Sequence, residues 1–149
     1  MTIESDNLKQ IIKKFESQNI LVIGDLALDE MVYGDTERIS REAPVLILQH
    51  THTKYILGGA SNAAHNVSSL NKGKVSVIGI IGDDYQAQDL KNAFIDAGID
   101  CKNLIVDKCR KTITKTRISG SCSQSVTQQI VRIDRQSSEP VSKETESKI

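Results

Sequence analysis

The chain has 149 residues, of which 38% are hydrophobic and 26% are charged, and its basic and acidic side chains balance to a net charge of zero. This length fits one ordinary domain of a soluble globular protein. A neutral chain gives no electrostatic reason to expect a nucleic acid or an anionic membrane as a partner. Its apolar runs are far shorter than the roughly 20 residues of a membrane helix.

The first residues carry acids and no apolar segment, so no signal peptide is expected. The three cysteines, Cys101, Cys109 and Cys122, match no zinc pattern. An odd number of unpaired thiols is typical of a reducing compartment. We therefore expect a cytoplasmic protein.

The amino-terminal part predicts a helix, a buried strand and extended segments, in that order. Apolar residues recur with helical spacing between residues 5 and 17, and a continuous apolar run follows at Ile20–Ile23. Such a run is typical of a strand that is buried on both faces of a parallel sheet. Between residues 28 and 57, short apolar stretches lie among polar residues, which indicates partly exposed strands.

The rest of the chain alternates helices and strands before its pattern changes near residue 111. The first predicted elements are a helix of small residues over 60–70, a buried strand over 75–81 and a helix over 85–97, which Asp84 caps and Gly98 ends. A short strand follows over 103–106. Two further strands are predicted over 112–118 and 128–134 with a polar turn at 120–125, and another helix could start at Ser142.

Strands that alternate with helices indicate βαβ units, so we expect an α/β fold with a parallel sheet flanked by helices. Two hairpin-like regions, at about 28–57 and 111–134, depart from this alternation. They predict an added β layer. Residues 137–149 read as a polar tail or as the start of a truncated helix.

Two glycines precede the helix of small residues, in the stretch GGASNAA at 58–64. Gly58 and Gly59 lack a Cβ atom and so allow a ligand close to the backbone, where a helix start offers free N–H groups. The Asn62 amide can both donate and accept, which suits a sugar hydroxyl. Taken alone, the glycines fit a tightly packed turn better, because short motifs match by chance.

Two acids, Asp25 and Asp29, follow the first apolar run. The carboxyl end of a strand is where open α/β sheets bind ligands. A carboxylate there can accept hydrogen bonds from adjacent hydroxyls of a polyol. For either acid alone, a solvated turn is the simpler interpretation.

A basic set consists of Arg38, Lys115, Arg117 and Arg132. Lys115 and Arg117 share one face of a strand because side chains alternate, and such a pair could bind a phosphate. A solvated sheet face is the alternative. The histidines His50, His52 and His65 lack the spacing of a metal site.

Together these stretches resemble the ribokinase-like, or phosphofructokinase-B, carbohydrate kinases, over about residues 18–136. GGASNAA resembles the first signature of that family, and ILVIGDLALDEMVYG at 20–34 resembles its first strand and sugar-binding acid. More narrowly, YGDTERISREAPV at 33–45, TITKTRISG at 112–120 and IVRIDRQ at 130–136 resemble the heptose 7-phosphate kinases. Arg41 stands where those kinases usually carry proline.

The resemblance implies a ribokinase-like parallel sheet flanked by helices, with a small projecting β lid at about 28–57 and 111–134. Residues 1–136 would form the amino-terminal half of a kinase domain. The intact protein would transfer phosphate from ATP, with Mg²⁺, to the anomeric hydroxyl of D-glycero-D-manno-heptose 7-phosphate, in ADP-heptose and lipopolysaccharide core synthesis. In relatives the lid also contacts the lid of a second, identical subunit, so we expect a homodimer through the lid.

The substrate-binding residues that the resemblance and the charges imply are Asp25, Asp29, Arg38, Gly58, Gly59, Asn62, Lys115 and Arg117. The two acids would hold sugar hydroxyls, and the glycines with the asparagine would line the pocket floor. The basic side chains would face the 7-phosphate, an expectation that rests on their charge.

Kinases of this family carry their ATP-binding residues and a catalytic Asp, within a Gly-Ala-Gly-Asp motif, in the carboxyl-terminal half. That motif does not occur in this sequence. We therefore expect a truncated form with no catalytic, cofactor or metal site of its own, which binds sugar weakly and transfers no phosphate. Two alternatives stay open: a ribose- or fructose-type kinase of the same fold, and an inert binding or dimerisation module.

Overall fold

Helices and strands alternate along the chain in the computed structural model, which describes residues 5–122 and 125–149. The elements, in chain order, are α1 (Ser5–Phe15), β1 (Ile20–Ile23), β2 (Leu26–Ile39), β3 (Leu46–Gly59), α2 (Ala60–Asn71), β4 (Val75–Ile78), β5 (Ile80–Ile81), α3 (Tyr85–Asp96), β6 (Ile105–Val106), β7 (Ile113–Cys122), β8 (Ser125–Arg135) and α4 (Lys143–Glu146). The predicted α/β class is confirmed.

Parallel pairing joins the short strands next to the helices. Strand β1 pairs with β4, and β5 pairs with β6. The single strand predicted over 75–81 is interrupted at Gly79, where a Cβ atom would lie 2.7 Å from the carbonyl oxygen of Gly24. The segment pairs with β1 before Gly79 and with β6 after it.

The added β layer is one sheet rather than two separate hairpins. Its four strands lie in the order β3-β2-β7-β8, and we call it the outer sheet. Strand β2 pairs antiparallel with β3 and parallel with β7, and β7 pairs antiparallel with β8. Strand β7 continues to Cys122, so the polar turn predicted at 120–125 starts too early. Residues 123 and 124 of that turn lie outside the described residues.

The base of the outer sheet is anchored in the hydrophobic core. Leu26 and Leu28 of β2 and Leu57 of β3 are buried there with Leu90 and Phe94 of α3. These α3 positions were predicted from helical spacing, and their burial is confirmed. Each large side chain contributes roughly 1.5–3 kcal/mol when it leaves water, so the core fixes where the outer sheet begins.

The prediction that Ile20–Ile23 is buried on both faces is wrong. Leu21 is 50% exposed and Ile23 is 61% exposed. Among the described strands, β1 has β4 as its one partner, and its main helix contact is with α2. Cover on one side leaves the other face of this apolar strand open.

Asp84 connects α3 to the outer sheet. Its carboxylate accepts hydrogen bonds from the N–H of Ala87 at 3.0 Å, from the N–H of Thr112 at 3.0 Å and from the Thr112 hydroxyl at 2.6 Å. Burial alone would raise the pKa of Asp84, but the bonds from Thr112 and Ala87 outweigh burial and lower this pKa below its usual range. The predicted helix cap is confirmed, and it also holds the residue that precedes β7.

We expect Asp84→Asn to destabilise the chain by about 2 kcal/mol at neutral pH, because an amide cannot accept all three hydrogen bonds. Asp83→Asn is the matched control, since Asp83 is exposed and adjacent. The lowered folded-state pKa means that the contribution is present above the unfolded pKa of about 3.9 and disappears as pH falls through the folded pKa. Denaturant unfolding at several pH values measures this. Equal losses in the two variants would contradict the role of the network.

Candidate functional site

The two candidate stretches at 24–25 and 58–60 are in direct contact. The N–H of Ala60 donates to the carbonyl oxygen of Asp25 at 2.9 Å. Between them, Gly59 has a φ of 55°, and a Cβ atom on it would lie 2.8 Å from the same Asp25 oxygen. Glycine alone meets both conditions without strain. The motif therefore joins the start of β2, the end of β3 and the start of α2.

The Asp29 carboxylate lies over the bare backbone of Gly58. A Cβ atom built on Gly58 would lie 2.9 Å from Asp29 Oδ2. In the β2–β3 register Gly58 is paired with Ala27, two residues before Asp29, so both belong to one face of the outer sheet. Gly59 therefore allows the turn to form, and Gly58 leaves space for the Asp29 carboxylate.

Asp29 forms an ion pair with Arg117 of β7. The Nη1 atom of Arg117 lies 2.5 Å from Asp29 Oδ1, and each side chain is 23% exposed. Partial removal from water strengthens the attraction compared with an open surface pair. Lys115 is the register partner of Asp29 on β7, so it lies beside the same acid. The structure thus brings together Asp29, Gly58, Lys115 and Arg117.

Arg38 is not brought to this group within the chain. It lies on β2 nine residues beyond Asp29, roughly 30 Å further along the strand. Its guanidinium contacts Glu37 at 3.0 Å, and both side chains are largely exposed. The prediction placed Arg38 with the other cations on charge alone, and charge does not reveal distance along a long strand. Asp25 and Asn62 are exposed near the glycine turn, Asn62 in the first turn of α2.

Two further cations face the same side as Asp29. Arg132 of β8 is the register partner of Arg117, and Lys54 of β3 is the register partner of Met31. Arg132 belonged to the predicted basic set but received no role. Lys54 was missed, because one lysine on an exposed strand carries no signal until the register is known.

A separate cleft of about 750 Å³ lies between β3 and α3. Tyr55 of β3 and Asp89 of α3 both line it. Burial, followed by the charge of Asp89, raises the pKa of Tyr55 to about 12. None of the predicted substrate-binding residues lines this cleft, so the open face around Asp29 remains the candidate site.

Comparison with known proteins identifies the family of the chain. The model of the pfkB family carbohydrate kinases matches residues 17–146. This chain belongs to that family. It is 40% identical over 146 residues to the bifunctional protein HldE of Geobacter metallireducens, covering 98% of this chain and 29% of that protein. It is 39% identical over 132 residues to the protein of the same name from Helicobacter pylori, covering 89% and 27%. The chain therefore spans less than a third of these relatives.

A solved carbohydrate kinase from Agrobacterium tumefaciens superposes with a TM-score of 0.58 at 24% identity, covering 77% of this chain and 34% of that chain. At this identity the likeness concerns the fold alone, and it confirms the predicted ribokinase-like architecture. Across residues 5–122 and 125–149, no helix is long and apolar enough to cross a membrane.

The contact between Gly58 and Asp29 predicts a specific coupling. Gly58→Ala should destabilise the chain by roughly 1–3 kcal/mol, because the added methyl group collides with the carboxylate. In an Asp29→Ala background the same change should cost clearly less, since the colliding atoms are gone. A double-mutant cycle from denaturant unfolding measures the difference. Additive effects would mean that Gly58 is required for another reason.

Proposed function

We propose that the face around Asp29 binds a sugar, and that the intact protein transfers phosphate from ATP to it. The observation that carries this proposal is the Asp29 carboxylate held by Arg117 above Gly58. Asp29 lies in the stretch that resembles the family's first strand and sugar-binding acid, and Gly58 belongs to the stretch that resembles its first signature. Two oxygens fixed on an open face can accept hydrogen bonds from neighbouring hydroxyls.

The sugar that we propose is a heptose 7-phosphate. The stretches at 33–45 and 112–120, which resemble heptose 7-phosphate kinases, support this choice over ribose or fructose. The second of these stretches contributes Lys115 and Arg117 to the candidate site. Two cations beside one acid give the site a positive charge, which would attract a sugar phosphate more than a neutral sugar.

In the proposed reaction the described residues bind and orient the sugar. Asp29 would accept hydrogen bonds from hydroxyls and so aim the anomeric hydroxyl at the phosphate donor. Asp25, Gly59 and Asn62 would line the floor beside the glycine turn. The outer sheet would cover the sugar as a lid and keep water from the transferring phosphate.

ATP and Mg²⁺ belong to the proposal for the intact protein. ATP supplies the phosphoryl group, and Mg²⁺ neutralises its charge during transfer. In the described part of the chain, no three His, Cys, Asp or Glu side chains group as metal ligands. We propose, from the family resemblance, that both bind in the carboxyl-terminal half of the intact kinase domain, and that the reaction takes place in the cytoplasm.

A second copy of the chain is the proposed partner of the outer sheet. Ile118, Val131 and Ile133 lie on the face opposite to Asp29, because they alternate with Arg117 and Arg132 along their strands. Val131 and Ile133 are half-exposed. Apolar side chains on an open sheet face favour burial against another protein surface, which supports a homodimer through the lid.

We expect heptose 7-phosphate to raise the melting temperature of the full gene product and to be phosphorylated by it. Asp29→Asn should lower kcat/KM on the order of ten- to a hundred-fold, because a charge-assisted hydrogen bond is lost. Asp35→Asn is the matched control, since Asp35 is an exposed acid on the same strand. Stabilisation and turnover by ribose or fructose instead would contradict the heptose assignment, and no turnover of any sugar would contradict the kinase activity.

A further inference from the structure

Three side chains form a hydrogen-bonded chain on the face of the outer sheet opposite to Asp29. They are Glu30 of β2, Thr116 of β7 and Arg135 of β8. The Thr116 hydroxyl donates to Glu30 Oε2 at 2.5 Å, and it accepts from Nη1 of Arg135 at 2.6 Å. The same Arg135 atom lies 3.9 Å from the Glu30 carboxylate. We call these three residues the clamp, because they join three adjacent strands.

The centre of the clamp is shielded from water. Thr116 is 5% exposed, and the Glu30 side chain is 13% exposed. A hydroxyl or a carboxylate that is removed from water without a partner costs stability, so each of these groups depends on the other. Arg135 supplies the opposite charge from β8, the strand at the edge of the outer sheet.

The clamp and the ion pair of the candidate site cross the same two strands at the same level. Asp29 and Glu30 are consecutive on β2, and Thr116 and Arg117 are consecutive on β7. Consecutive residues of a strand point to opposite faces. The β2–β7 pair is therefore bonded on one face by Asp29 and Arg117, and on the other face by Glu30 and Thr116.

Bonds on both faces fix the register of β2 against β7. Glu30 and Thr116 are 86 residues apart in the sequence, so no tight turn aligns their two strands. A slip of one residue would turn Asp29 to the opposite face. The bonds between Asp84 and Thr112 hold β7 at its base, which lies roughly 13 Å before Thr116 along the strand. The clamp holds β7 at the level of the site.

We propose that Glu30, Thr116 and Arg135 are positioning residues, which hold Asp29 and Arg117 in the geometry that binds the sugar. The three act from the face opposite to the sugar and do not contact it. This inference rests on the proposed function and adds three residues to it. The Thr116 hydroxyl is the central member, because it bonds to both of the others.

The test removes the central hydroxyl and keeps the size of the side chain. We expect Thr116→Val, in the full gene product, to reduce kcat/KM for heptose 7-phosphate by roughly ten-fold, because a displaced Asp29 orients the sugar poorly. The KM for ATP should stay unchanged. Thr116→Ser keeps the hydroxyl and should retain most of the activity.

Thr114→Val is the matched control. Thr114 is buried on the same face of β7, and its hydroxyl donates to the backbone oxygen of Thr112 rather than to another strand. Its loss should lower the melting temperature and leave kcat/KM for the sugar phosphate unchanged.

A double-mutant cycle measures the coupling without an activity assay. Thr116→Val should lower the melting temperature of the full gene product less in an Asp29→Ala background than in the wild type. The reason is that the ion pair which the loss of the clamp disturbs is already absent there.

Three results would overturn the inference. A lower melting temperature with an unchanged kcat/KM in Thr116→Val would give the clamp a structural role alone. An equal loss of kcat/KM in Thr114→Val would mean that any weakening of the sheet disturbs the site. Additive effects in the cycle would mean that the clamp and the ion pair are independent. Wild-type protein that phosphorylates no sugar would refute the proposed function, and the cycle would still decide whether the clamp positions Asp29.

Discussion

The close approach of two backbones at the glycine turn is the constraint on which the rest of the structure depends. The N–H of Ala60 reaches the carbonyl oxygen of Asp25 only because Gly59 adopts a positive φ and has no Cβ atom. This contact fixes the first residues of β2 against the last residues of β3 and the first turn of α2. The register of the outer sheet, and hence the place of Asp29 above Gly58, follows from it.

Two strands of the outer sheet, β2 and β7, connect the stabilised base of the sheet to the candidate site. Strand β2 begins in the hydrophobic core at Leu26 and Leu28 and carries Asp29 on the opposite face one residue later. Strand β7 is held at its base by the bonds between Asp84 and Thr112 and delivers Lys115 and Arg117. Binding residues on strands with anchored bases are held more rigidly than residues on loops, which suits a site that must orient a flexible polyol.

Local signals in the sequence predicted most of the helices and strands, but not the pairing of the strands. The Asp84 cap, the α3 core positions and the strand–helix alternation are short-range patterns, and they were predicted. The parallel pairing of β2 with β7 joins segments that are distant in the sequence, so no local pattern reveals it. Because the strand register was not known from the sequence, Lys54 was missed and Arg38 was grouped with cations that lie far along the strand. The exposure of Ile20–Ile23 was missed because an apolar run shows the propensity for burial and not the cover that is present.

The most direct measurement is a crystal structure of the full gene product with heptose 7-phosphate bound. The expected complex has sugar hydroxyls within hydrogen-bond distance of the Asp29 carboxylate, the ring close to the Gly58 backbone, and the phosphate beside Lys115 and Arg117. A sugar bound in the cleft between β3 and α3, or elsewhere without contact to Asp29, would contradict the assignment of the site.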